Sequence, residues 1–69
     1  MARDLATKLG YQKIKDPPFN SHGQPVFKNG NRYITPDVDQ HNGGFWKMFD
    51  RLGNRLGTYD QTLENRIGK

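Results

Sequence analysis

Apolar and polar positions change rhythm once along this chain, near Gly10. Before it, Ala2, Leu5, Ala6 and Leu9 recur at i, i+3, i+4 and i+7, which places them on one stripe of a short amphipathic helix over residues 2 to 9. Asp4 and Lys8 form a favourably oriented i, i+4 pair, and Gly10 supplies a stop. About two turns of helix do not persist alone in water, so the stripe must dock on something. The rest of the chain offers a sheet. Tyr11 to Ile14 reads as a first, edge-like strand, and Asp16 to Gly23, with two prolines, as a loop. Pro25 to Lys28 and Arg32 to Thr35 flank Asn29-Gly30, a strong hairpin signal whose turn holds two or three residues. Phe45 to Phe49 and Leu56 to Tyr59 read as two further strands joined by a turn-rich link. The tail from Gln61 to Lys69 reads as one helical turn or none. The pattern therefore predicts an α+β fold, a short N-terminal helix packed on a small antiparallel β-sheet of about four or five strands.

Composition narrows this to one domain, residues 1–69, with a thin core, because only 32% of its 69 residues are hydrophobic. A chain of this length buries about 60% of the surface it exposes when unfolded. There are no cysteines, hence no disulfide and no thiolate metal site. Phe27, Ile34, Phe45, Phe49 and Leu56 are the expected packing residues. Eleven Lys and Arg against seven Asp and Glu give a net charge of +4 and a pI near 9.7. That balance favours a polyanionic partner, chiefly nucleic acid. No apolar run approaches the roughly 18 residues that span a bilayer, and no signal peptide is visible. Met1-Ala2 reads as the start of an excised fragment, and export as the end of a larger protein stays open.

The chemistry concentrates in Thr35 to Gly44, where an extended chain would place Asp37, Asp39 and His41 on one side, each about 6.8 Å from the next. RNA cleavage by transesterification needs a base for the ribose 2′-OH, an acid for the departing 5′-oxygen and a cation for the charged phosphorane. His41 can act as base or acid, and a neighbouring carboxylate can hold its ring. Gly43-Gly44 lets a phosphate approach the backbone, and Lys47 lies just beyond. The same residues also read as a solvated turn or as ligands of a divalent metal. His22, in the Pro/Asn/Gly loop, reads as a surface residue. Trp46 and Tyr59 suit either base stacking or packing, while Lys28, Arg32, Arg51 and Arg55 suit RNA docking without sequence readout.

Three runs then carry a resemblance: Gly23 to Lys28, Tyr33 to Asp39, and His41-Asn42-Gly43-Gly44-Phe45-Trp46-Lys47-Met48. They resemble a family of bacterial polymorphic-toxin C-terminal domains that end contact-dependent inhibition proteins and LXG-type secreted toxins. Ala6 to Tyr11, Leu56 to Asp60 and Asn65 to Gly68 continue the likeness over nearly the whole chain. The resemblance implies a strongly twisted sheet similar to that of the ribosome-cleaving colicin nucleases, RNase activity, delivery into neighbouring bacteria and a cognate immunity protein. It also implies an active site at Asp37, Asp39, His41 and Lys47. Two departures stand out. The colicins carry a glutamate four residues after their histidine, where this chain has Phe45, and the link from Phe49 to Arg55 is short for the toxin family.

Together these expectations describe a monomeric, metal-independent and cofactor-free endoribonuclease, cleaving ribosomal RNA or transfer RNA. It would be secreted within a larger toxin and act in the cytoplasm of the target bacterium. Two alternatives stay open: a metal-dependent DNase using Asp37, Asp39 and His41, and a noncatalytic RNA-binding module that blocks translation.

Overall fold

The computed structural model describes residues 2–37 and 45–68, with side chains from Asp4 onward. Helix α1 (Ala2–Lys8) is followed by β1 (Gln12–Ile14), β2 (Val26–Asn29), β3 (Arg32–Pro36), β4 (Trp46–Asp50), β5 (Arg55–Tyr59) and β6 (Arg66–Gly68). The strands lie in chain order, each antiparallel to the next, so the described sheet is a six-stranded meander. No helix among the described residues is long and apolar enough to cross a membrane.

The helix ends one residue earlier than its stripe suggests, in a Schellman motif. Gly10 donates its N–H to the Thr7 carbonyl at 3.0 Å and Tyr11 donates to that of Ala6 at 2.9 Å, with Gly10 at φ +88°. Leu5, Ala6 and Leu9 then face the sheet, as the period requires, and Ala6 is completely buried.

Both hairpins are set by local chemistry. Asn29 pairs with Arg32, so the β2–β3 loop is two residues, Gly30-Asn31, one place beyond the Asn-Gly signal. Gly30 at φ +59° occupies the first loop position, where the type II′ turn takes glycine. In the β4–β5 turn, Gly53 donates to the Asp50 carbonyl at 3.0 Å and stands at φ +86°. This is the three-residue loop in which a type I turn is followed by a left-handed glycine. The Asp50 carboxylate closes the turn by accepting the amides of Leu52 and Asn54, both at 2.9 Å.

The expectation of about four or five strands is corrected by β6, which lies in the tail from Gln61 to Lys69. Asp60 turns the chain back. Its Oδ1 accepts the Glu64 amide at 3.0 Å and its Oδ2 accepts the Asn65 side-chain amide at 2.9 Å. Its own N–H donates to the Asn65 carbonyl at 3.0 Å, and Leu63 takes φ +62° inside the turn. A strand of three residues has too short a period to show in a hydropathy pattern; its hydrogen-bonding turn creates it.

One sheet face carries the core: Phe27, Ile34, Trp46 and Met48 with Ala6 from the helix, and Leu5, Leu9, Tyr11, Phe45, Leu56, Tyr59 and Leu63 packed around them. Each fully buried large side chain contributes roughly 1.5–3 kcal/mol. Phe27 and Ile34 pack here as expected, while Phe45 and Leu56 line the periphery. Trp46, a candidate for either base stacking or packing, is at the centre with no exposed surface and so not open to RNA, its ring edge-on to Phe27 and its Nε1–H donating to the Gln61 carbonyl at 3.1 Å. Phe49, expected in this core, belongs to the opposite face.

Candidate active site

The opposite face is built by strand alternation and one irregularity. Thr35 of β3 lies across from Lys47 of β4, and Lys47 across from Thr58 of β5. Tyr33 and Phe49 form the neighbouring pair. Between Met48 and Phe49 the register of β4 against β5 shifts, so that Phe49 faces Arg55 rather than Leu56. This bulge sends Arg55 to the same side as Lys47 and returns Leu56 to the core. Arg55 is fixed there, its Nη2 donating to Thr58 Oγ1 at 2.6 Å.

The loop between β1 and β2 folds over this face. Phe19 stacks on Phe49 with centroids 3.8 Å apart and rings 13° from parallel, and meets Tyr33 edge-on at 6.1 Å. Farther along, Thr35 Oγ1 donates to the Pro25 carbonyl at 2.8 Å, tying the loop's end to β3. Between the two anchors lies an open groove of about 470 Å³. Thr35, Pro36, Lys47, Phe49 and Arg55 form its floor, and Asn20, Ser21, His22 and Gln24 its wall.

Of the expected catalytic set, the structure places Lys47 in the groove. Asp37 lies one ladder step beyond Pro36, donating its amide to the Phe45 carbonyl at 2.8 Å, and alternation puts it on the side of Thr35. It is buried, 6% exposed, and does not line the groove. Asp39 and His41 lie outside the described residues. Among those described, no three His, Asp or Glu side chains come together as a metal cage.

Of the residues expected to dock RNA, Arg55 lines the groove and Arg51 is exposed in the β4–β5 turn. Lys28 is exposed, its ammonium 5.7 Å from the Tyr33 ring centre. Arg32 is exposed opposite Asp50, away from the groove lining. Trp46 is core, and Tyr59 is half-buried against that core rather than open for stacking. Sequence reasoning missed Thr35, Thr58, Phe19 and the wall residues Asn20, Ser21 and Gln24, and treated His22 as ordinary surface. Thr35 and Thr58 follow from strand register, whereas the wall is held by the long-range stack of Phe19 on Phe49, for which the local sequence holds no signal.

Comparison with known proteins agrees with this architecture. A curated relative, "16S rRNA endonuclease CdiA" of Enterobacter cloacae subsp. cloacae, is 54% identical over 70 residues. The match covers 96% of this chain but only 2% of that much longer protein. A solved structure described as "CdiA-CT/CdiI toxin and immunity complex from Enterobacter cloacae" superposes with a TM-score of 0.73 at 51% identity. It covers 99% of this chain and 93% of its own. Residues 4–69 match the family model described as Novel toxin 21. With nearly its whole length matched, this chain belongs to the Novel toxin 21 family.

Proposed function

We propose that this chain is the endoribonuclease domain of a contact-dependent inhibition toxin, cleaving 16S ribosomal RNA in the cytoplasm of a neighbouring bacterium. The observation that carries the reading is the near-complete match to a relative named 16S rRNA endonuclease CdiA. The groove supports it. Lys47 and Arg55 are cations on its floor, suited to a phosphodiester and to the charge that grows on its oxygens during attack. In the proposed reaction His41, with Asp37 or Asp39, takes the proton from the 2′-OH, and the 2′-oxygen attacks phosphorus. Lys47 stabilises the phosphorane, and the products are a 2′,3′-cyclic phosphate and a free 5′-OH. No metal or cofactor takes part. The solved relative is a toxin–immunity complex, which supports a cognate immunity protein as this chain's partner.

The test incubates the purified chain with intact ribosomes and total bacterial RNA, with and without EDTA, beside His41→Ala and Lys47→Ala. We expect discrete 16S fragments ending in cyclic phosphate, unaffected by EDTA and absent with His41→Ala. Cleavage lost on chelation would replace this mechanism with a metal nuclease. Binding without fragments at any enzyme concentration would replace it with an occupancy blocker.

A further inference from the structure

The groove wall holds an imidazole that the mechanism above does not use. His22 faces the cavity floored by Thr35, Lys47 and Arg55, and these three cationic or titratable side chains, His22, Lys47 and Arg55, are the ones lining it among the described residues. A guanidinium does not release its proton in water, and an alkylammonium does so only far above neutrality. As a class, imidazolium is the cation that gives up a proton near pH 7.

The backbone holds His22 in an unusual way. Gln24 donates to the Ser21 carbonyl at 3.0 Å, closing a turn whose two central residues, His22 at φ 54° and Gly23 at φ 82°, are both left-handed. That is the type I′ pattern, which normally takes Asn, Asp or Gly at its first central position. Histidine is among the side chains that enter this region more readily than most, though at some cost compared with glycine, so the turn fixes the imidazole's root at this point of the wall. The Asn20 side chain steadies it by accepting the His22 amide at 2.9 Å. On either side the loop is anchored to the sheet, through Phe19 on Phe49 and through Thr35 on the Pro25 carbonyl. His22 thus stands on a doubly anchored loop, in the wall of the groove whose floor carries Lys47 and Arg55.

We propose that His22 is the general acid of this groove, protonating the 5′-oxygen as it leaves. The inference rests on the ribonuclease reading and assigns the second half of its proton traffic. The 2′-O–P bond forms as the P–O5′ bond breaks. The 2′-OH proton goes to the base, the His22 proton goes to O5′, and solvent later reprotonates the neutral imidazole. Nothing is oxidised or reduced.

The decisive substrate is a short RNA that the wild-type chain cleaves, synthesised with either oxygen or sulfur at the bridging 5′ position of that bond. A thiolate leaves without being protonated, so it bypasses any need for the acid. His22→Asn and His22→Gly keep the left-handed backbone accessible, and near-ultraviolet circular dichroism of Trp46 checks that each folds. We expect both variants to cleave the oxygen substrate about 100-fold or more slower, and the sulfur substrate within a few-fold of wild type. Equal slowing on both substrates, or no slowing on either, overturns the assignment while leaving the nuclease intact. If wild type cleaves no RNA at all, the ribonuclease reading falls and this inference falls with it.

Discussion

At the level of single residues, two partly exposed carboxylates, Asp50 and Asp60, each close a turn of the sheet. The Asn54 amide, with that of Leu52 and the Asn54 side chain, holds Asp50 below the usual carboxylate range, and nearby Arg32 adds to this. The Asn65 side chain, then the amides of Asn65 and Glu64, hold Asp60 down likewise. A depressed folded pKa gives stability that is complete above the unfolded value, near 4, and is lost as pH falls through the folded value. We therefore expect urea midpoints that are level from neutrality down to about pH 5 and that fall on further acidification. The double variant Asp50→Asn/Asp60→Asn should be less stable at pH 7 and should lose much of that acid slope. An unchanged slope would mean that the two turns do not hold the sheet. In the sequence Asp50 falls within the turn-rich link after Phe49, and Asp60 only ends the run from Leu56. Their roles differ from a generic turn because each carboxylate accepts several amides at once, a count that only the folded loop reveals.

At the scale of elements, the groove wall depends on a contact between two loops. An added Cβ at Gly53 would run into the Pro18 carbonyl oxygen and lie 3.7 Å from the Phe19 side chain, on a backbone already at φ +86°. Gly53→Ala should cost roughly 1–3 kcal/mol, read as a lower Tm. It should also slow RNA cleavage more than the stability loss explains, because Phe19 and the wall behind it would shift. Wild-type cleavage by folded Gly53→Ala would separate the wall from the chemistry. This contact also marks how far the sequence could be read. The helix stripe, the β2–β3 hairpin and the two inner strands followed from residues adjacent in the chain. The pattern puts Phe49 in the core and leaves Trp46 open between stacking and packing, because they are three apart in a strand of aromatics, where one step of register exchanges the sides. Trp46 is drawn inward by Phe27 and by the Gln61 carbonyl, and Phe49 outward by Phe19. Of the candidate site, Lys47 is legible as a cation just beyond His41 and Arg55 as an RNA-docking cation, whereas the loop that makes a groove of them is not.

For the molecule as a whole, the sheet separates two tasks. One face, covered by α1, carries the aromatic core, and the other, half covered by the β1–β2 loop, carries the cations. Stability and RNA affinity should therefore respond to different residues. Arg55→Ala should make the salt dependence of RNA binding shallower by about 0.7 in the slope of log K against log salt, the value for one phosphate contact on a single strand. An unaltered slope, measured by titration from low to moderate salt, would place Arg55 outside the RNA path.

The bulge facing Phe49 makes the side that Arg55 takes depend on the number of residues in β5. Asp50 and Asn54 close the turn in one register, while Trp46 and Tyr59 pair at the far end in another, and the two differ by a single residue. Leu56 is that spare residue. Because neighbours on a strand point opposite ways, the parity of the chain between turn and strand end decides whether arginine or leucine looks into the groove. In a domain whose β4–β5 link is short, the number of residues there is thus a specificity variable. A one-residue change of length that moved the bulge would take one of the groove's cations off its floor without altering the protein's charge, and under the proposed function would change which RNA fits there.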